Sequence, residues 1–97
     1  MSFIQIIEYE TERAADIDAA MRQAMQRNAG RPGFTRLEHT QDHNNPKHYM
    51  TIVEFPSYEE AMENSGRPET HQMAQEMAAM CTSGPTYHDL DVKIHAP

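Results

Sequence analysis

Two polar side chains fall where the surrounding pattern asks for apolar ones, and chemistry is sought there first. Gln5 lies on the strand face shared by Phe3, Ile7 and Tyr9. A buried amide needs hydrogen-bond partners, so Gln5 is either a satisfied core or interface amide or a group that orients a substrate. His71 lies one or two residues off the stripe Met73, Met77, Met80, at the edge between the buried and solvent faces of a helix. It is either a surface histidine or one that reaches into a pocket as acid, base or ligand. Tyr58, with Tyr49 and Tyr87, offers a phenol to an oxygenated aromatic, or simply packs with its hydroxyl in water. The chain has eight methionines, and Met62, Met73, Met77 and Met80 share one helical region. Flexible thioethers suit an adaptable apolar pocket, and their helical spacing assigns them to packing ahead of copper(I) ligation.

The other titratable residues give looser patterns. His39, His43 and His48 flank a turn. Were Gln41 to pair with His48, all three would project from one sheet face, close enough to approach a metal; a slip of one residue separates them. Asn45 precedes Pro46 and is biased away from the left-handed conformation of a tight turn, so the register stays open. Exposed loop histidines are the plainer outcome, and no metal site is expected. Glu8 and Glu54 fall on neighbouring strands, where two carboxylates either share a catalytic proton or pair with a cation such as Arg36. No Ser-His-Asp order, P-loop, dinucleotide-binding glycine motif or CxxC occurs.

The elements that must position these residues follow from periodicity and punctuation. Phe3 to Tyr9, aromatic and β-branched, predicts a first strand. Thr11 can cap the helix that follows, where Ile17, Met21, Ala24 and Met25 recur at helical spacing, and Gly30-Arg31-Pro32-Gly33 stops it. Phe34 to Gln41 and His48 to Phe55 flank a turn-rich segment and predict a hairpin. Ser57 with Glu60 forms a capping box that opens a second helix; Asn64-Ser65-Gly66 interrupts it and Pro68 restarts it, up to Ser83-Gly84-Pro85. Tyr87 to His95 alternates, with Leu90, Val92 and Ile94 on one face, and predicts the last strand.

This order predicts one α+β domain over residues 1–97. It is the ferredoxin-like βαββαβ arrangement, a four-stranded antiparallel sheet with both helices on one face and the first and third strands central. Ile4 and Ile6 oppose Phe3, Ile7 and Tyr9, while Met50 and Ile52 oppose Tyr49, Val53 and Phe55. A sheet with one wet face should alternate, and these strands do not. The expectation is a homodimer with its sheet faces covering each other; each large side chain buried there contributes roughly 1.5–3 kcal/mol.

Bulk properties narrow the partners. A formal net charge of −7 repels phosphate backbones, so nucleic acid is not expected. No apolar stretch approaches the roughly 20 residues that span a bilayer, so no membrane association is expected. The N-terminus lacks a signal-peptide pattern and the lone Cys81 cannot form an internal disulfide, which together predict a cytoplasmic location.

With this layout, Arg31-Pro32-Gly33-Phe34 and the stretch from Tyr49 to Ala61, with Glu54-Phe55-Pro56-Ser57 and Glu59-Glu60-Ala61, resemble the antibiotic-biosynthesis-monooxygenase-like group of dimeric α/β barrels over nearly the whole chain. That group includes cofactor-free oxygenases of aromatic polyketide quinols, haem-degrading enzymes, and members without assigned activity. The first of these implies a monooxygenase acting on a small aromatic or quinol-type substrate, with no cofactor and with Gln5, His71 and Tyr58 catalytic. Met62, Met73, Met77 and Tyr49 would then contact an apolar or aromatic substrate. The haem-degrading members place Asn, Trp and His where this chain has Gln5, Met62 and His71; only the histidine is kept, leaving haem as the alternative cofactor. A non-enzymatic dimer that binds a small molecule or a partner is the third reading, and fold alone does not choose.

Overall fold

The structure, a computed structural model, describes residues 2–27 and 33–97. The helix stop expected at Gly30-Arg31-Pro32 lies outside the described residues. Along the chain run β1 (Phe3–Glu10), α1 (Ala14–Arg27), β2 (Arg36–Asp42), β3 (Asn45–Phe55), α2 (Tyr58–Ser65), α3 (Pro68–Ala79) and β4 (Ser83–Asp91). The four strands form one antiparallel sheet in the order β2-β3-β1-β4, so β1 and β3 are central, as the ferredoxin-like reading requires.

The pairing Phe3↔Phe55, Gln5↔Val53, Ile7↔Thr51 and Tyr9↔Tyr49 sets these residues on one face of the sheet, and the helices cover that face. Its core is divided. At one end Ala61 of α2 packs with Phe3, Val53 and Phe55; at the other Ile17 of α1 packs with Tyr9 and Tyr49, joined by Met77, Met80 and Cys81. Ile4, Ile6, Met50, Ile52 and Leu90 stand on the opposite face.

Four local expectations need correction. Thr11 does not cap α1 directly. Its hydroxyl accepts from Arg13 N at 2.9 Å and donates to Met80 O at 2.7 Å, while the first helical bond runs from Ile17 N to Arg13 O, so Thr11 ties the β1–α1 turn to the end of α3. Met25 is 41% exposed, beyond the stretch in which Ile17 and Met21 are buried. The last strand begins at Ser83, not Tyr87. Gly84, at φ +85°, lets the backbone pass Glu8 O where a bulge shifts the register between Glu8 and Glu10. That strand also ends at Asp91, followed by one last backbone bond from Val92 N to Ser2 O at 3.1 Å; Ile94 is 90% exposed.

The second helix is capped as predicted, with Ser57 Oγ accepting from Glu60 N. It is two helices, broken at Gly66-Arg67, and Pro68 begins the second. Each half therefore faces a different part of the sheet.

Candidate active site

Between the two halves of the core a cleft of about 280 Å³ opens, bounded by β1, β3, α3 and the start of β4. Ile7, Met21, Met73, Ala74, Met77 and Pro85 make its apolar wall, and Gln5, Tyr9, Thr51, Thr70, His71, Cys81 and Tyr87 supply polar atoms. Its size is near the lower bound of small-molecule pockets, and mostly apolar walls with a few polar groups are their usual chemistry.

Gln5 Nε2 donates to Asp89 Oδ1 at 3.0 Å, across the β1–β4 pairing. With the amide nitrogen so engaged, its carbonyl oxygen is left to accept from a hydroxyl in the cleft. His71 sits exposed on α3 at the cleft's rim. The Cys81 thiol donates to Met77 O at 3.1 Å, and burial pushes it up, so it persists as a thiol and makes a poor nucleophile.

Of the residues singled out in the sequence, Gln5, His71, Met73 and Met77 line this cleft, and Tyr58, Met62 and Tyr49 do not. Tyr58 is 52% exposed and meets Phe3 edge-on at 5.3 Å, because α2 covers the Phe3–Phe55 end of the sheet while the cleft belongs to α3. Met62 lies exposed on α2 for the same reason. Tyr49 is buried behind the wall, its hydroxyl accepting from Gln41 Nε2 at 3.0 Å.

The floor is formed by Tyr9 and Thr51, which the sequence pattern does not mark as functional, and His39, weighed above only with His43 and His48 for a metal, stands behind them. Tyr9 and Thr51, each 2% exposed, line the cleft. His39 of β2 presents Nδ1 to both, 3.2 Å from Tyr9 Oη and 3.4 Å from Thr51 Oγ1. Its ring lies nearly parallel to Tyr49 at 5.5 Å and to Tyr9 at 6.4 Å. Burial pushes the Tyr9 phenol up, and burial pushes the His39 imidazole down, with Asp18 of α1 partly opposing. Both groups thus favour their neutral forms. Thr51 carries the signal that flagged Gln5: a polar residue in the core-facing set Tyr49, Thr51, Val53, Phe55.

The histidine and carboxylate pairings also resolve. Gln41 pairs with Tyr49, not His48, so His39 faces the helices, His48 faces the other way and His43 lies exposed in the turn. Among the described residues no group of three or more His, Cys, Asp or Glu is arranged to hold a metal ion. Glu8 and Glu54 share the open sheet face but stand four residues apart along it, about 13 Å at the usual strand rise. Glu54 instead approaches Arg36 at 4.0 Å, and Glu8 takes His48 Nε2 at 2.7 Å and His88 Nε2 at 3.0 Å, while His48 Nδ1 meets Asp42 at 3.0 Å.

Fold and cleft together define a ferredoxin-like α+β domain with a mostly apolar cleft between sheet and helix. SnoaB from Streptomyces nogalater, described as a cofactor-independent oxygenase, superposes with a TM-score of 0.82 at 14% identity, covering 99% of this chain and 97% of its own. A structure described as an antibiotic biosynthesis monooxygenase gives 0.75 at 15% identity, with 95% and 98% covered, and Rv0793 from Mycobacterium tuberculosis gives 0.82 at 12% with both chains fully covered. The architecture of the antibiotic-biosynthesis-monooxygenase group is therefore this chain's architecture. No family model matches the sequence, and no curated protein matches it. Among the described residues no helix is long and apolar enough to cross a membrane.

Proposed function

We propose that this protein is a monooxygenase without a resident cofactor, acting on a small electron-rich aromatic, such as a hydroquinone or anthrone, bound in the cleft. The observation that carries the reading is the cleft itself: an apolar slot also lined by an amide, several hydroxyl-bearing residues and a histidine, on a fold shared with a cofactor-independent oxygenase.

The chemistry requires little beyond binding and deprotonation. Loss of a proton from the substrate leaves an electron-rich anion that reacts with dioxygen, and the substrate itself is the reductant: for an anthrone R₂CH₂ + O₂ gives R₂C=O + H₂O, and for a hydroquinone with a free ring C–H, hydroquinone + O₂ gives hydroxyquinone + H₂O. Gln5, fixed by Asp89, accepts from the substrate hydroxyl; Met73 and Met77 flank the rings; the apolar wall excludes water, which favours reaction of the anion over reprotonation. The test is oxygen uptake on a panel of hydroquinones and anthrones. Gln5→Leu and His71→Ala are expected to lower it, and unchanged uptake in both would remove them from the site.

Haem does not fit as the resident group. The cleft of about 280 Å³ is small for a macrocycle, and Met62, which stands where the haem-degrading members of the group carry tryptophan, lies outside it.

We further infer that the open sheet face is covered by a second copy of the chain. Ile4, Ile6, Met50, Ile52 and Leu90 form its apolar centre, and charged residues stand at its ends.

A further inference from the structure

The oxygenase reading needs a group that takes the substrate's proton and holds it away from the reacting carbon. His71 lies exposed at the rim and Gln5 has no basic atom, so neither supplies a sheltered base. We propose that the base is His39, which stands behind the cleft wall and draws the proton through the hydroxyls of Tyr9 and Thr51. This rests on the cleft being the substrate site.

Tyr9 and Thr51 are the atoms through which His39 meets the cleft. Both line it, both are almost wholly buried, and both lie within reach of the same imidazole nitrogen, at 3.2 and 3.4 Å. In the tautomer with its proton on Nε2, Nδ1 accepts from the Tyr9 hydroxyl. A substrate hydroxyl donating to Tyr9 Oη then completes a chain. As its O–H bond breaks, the Tyr9 proton moves to Nδ1; one N–H bond forms, Tyr9 ends neutral, and the products are substrate anion and imidazolium. No electrons change hands. Thr51 Oγ1 offers a parallel route.

The surroundings suit a base that works through a wall. The ring lies beside Tyr49 at 5.5 Å and Tyr9 at 6.4 Å, nearly parallel to both, and these contacts hold the direction of Nδ1. Burial keeps it unprotonated and ready to accept, and burial keeps Tyr9 a phenol, so Tyr9 relays the proton instead of retaining a charge. The charged and titratable groups around this unit are few: Asp18 and Arg22 of α1, paired at 2.8 Å, with Cys81 and Tyr49 beside Tyr9. Asp18 favours the imidazolium once it forms and Arg22 opposes it. His39 does not touch substrate, so it is a positioning and relay residue.

The test separates proton transfer from oxygenation. 4-Nitrophenol, a small phenol whose anion is yellow, is titrated into wild type, His39→Gln and the Tyr9→Phe/Thr51→Val double variant, with NMR shifts of cleft residues reporting binding. Wild type is expected to hold the bound ligand as phenolate, with His39 ring shifts moving to imidazolium values. Both variants are expected to bind it as the neutral phenol. The double variant keeps the side-chain volumes, so it stands if His39→Gln misfolds. Binding with an equal phenolate fraction in all three overturns the relay and leaves the cleft standing. Failure of the ligand to perturb cleft residues overturns the cleft reading, and the relay with it. With an oxidisable substrate, His39→Gln is expected to lower kcat by about 10²-fold or more and to remove the acid limb of the pH–rate profile.

Discussion

Ile17 holds the region behind the cleft together, and Ile17→Ala measures how firmly. The side chain is fully buried, with 0% exposed, and packs against Tyr9 and Tyr49, the two rings beside His39. Truncation to alanine removes three carbons. At roughly 0.8 kcal/mol for each buried methylene the transfer loss is about 2.4 kcal/mol. The cavity left under α1 adds to this, because the site is closed on one side by the sheet and cannot collapse far, so the expected loss is about 3–4 kcal/mol, within the range of such truncations. For a 97-residue chain each kcal/mol moves Tm by roughly 4–8 °C, so Tm should fall by at least about 12 °C at fixed protein concentration. Ile17→Val should lose only about 1 kcal/mol. Thermal melting followed by circular dichroism, with urea unfolding as a check, reads both. A loss under 1 kcal/mol for Ile17→Ala would refute the claim that α1 is pinned to the sheet at this point.

Other perturbations follow from the sheet's open face and its edge. His88 and His48 hold Glu8 below its ordinary 4.5, and His48 holds Asp42 below 3.8, so their contribution is present above those values and lost as pH falls through the lowered ones. Asp42 and then Glu8 hold His48 above 6.5, so its contribution is complete below 6.5 and lost as pH rises through the raised value. The cluster's contribution to the urea midpoint should therefore be largest between pH 4.5 and 6.5, read as the difference between wild type and Glu8→Gln; a difference that does not vary with pH contradicts the cluster. Gly84→Ala should cost about 1–2 kcal/mol or more, since φ is +85° and the added Cβ would stand 2.8 Å from Glu8 O; a neutral urea midpoint would contradict this. Sedimentation equilibrium should give twice the 11.1 kDa chain mass for wild type and a monomer for Ile6→Glu; a wild-type monomer at micromolar concentration ends the proposal of a covered sheet.

What the sequence disclosed and what it hid divide along physical lines. Strand faces were legible because alternation has a period of two and the two central strands carry large side chains on both sides. The helix break at Gly66 was legible from Gly66 and Pro68, yet its consequence was not. Splitting one helix into α2 and α3 sends Tyr58 and Met62 to the Phe3 end of the sheet and reserves the cleft for Met73 and Met77. The hairpin register was open because the residues preceding Pro46 restrict the turn without fixing it, and one residue of register decides whether His39 faces the helices. In the sequence Tyr9 is only one more apolar residue on its strand face, since periodicity does not reveal which buried hydroxyl lies beside which ring. The start of β4 was hidden because Gly84-Pro85 reads as a breaker, whereas here the positive φ of Gly84 serves a bulge inside a strand.

Oxygenation of an anthrone or hydroquinone under isotopically heavy dioxygen tests the central claim most directly. A monooxygenase of the kind proposed places one heavy oxygen atom in the quinone product and the other in water, and does so without added metal, flavin or haem. Release of hydrogen peroxide with no label in the product, or no oxygen consumption across the substrate panel, would contradict it.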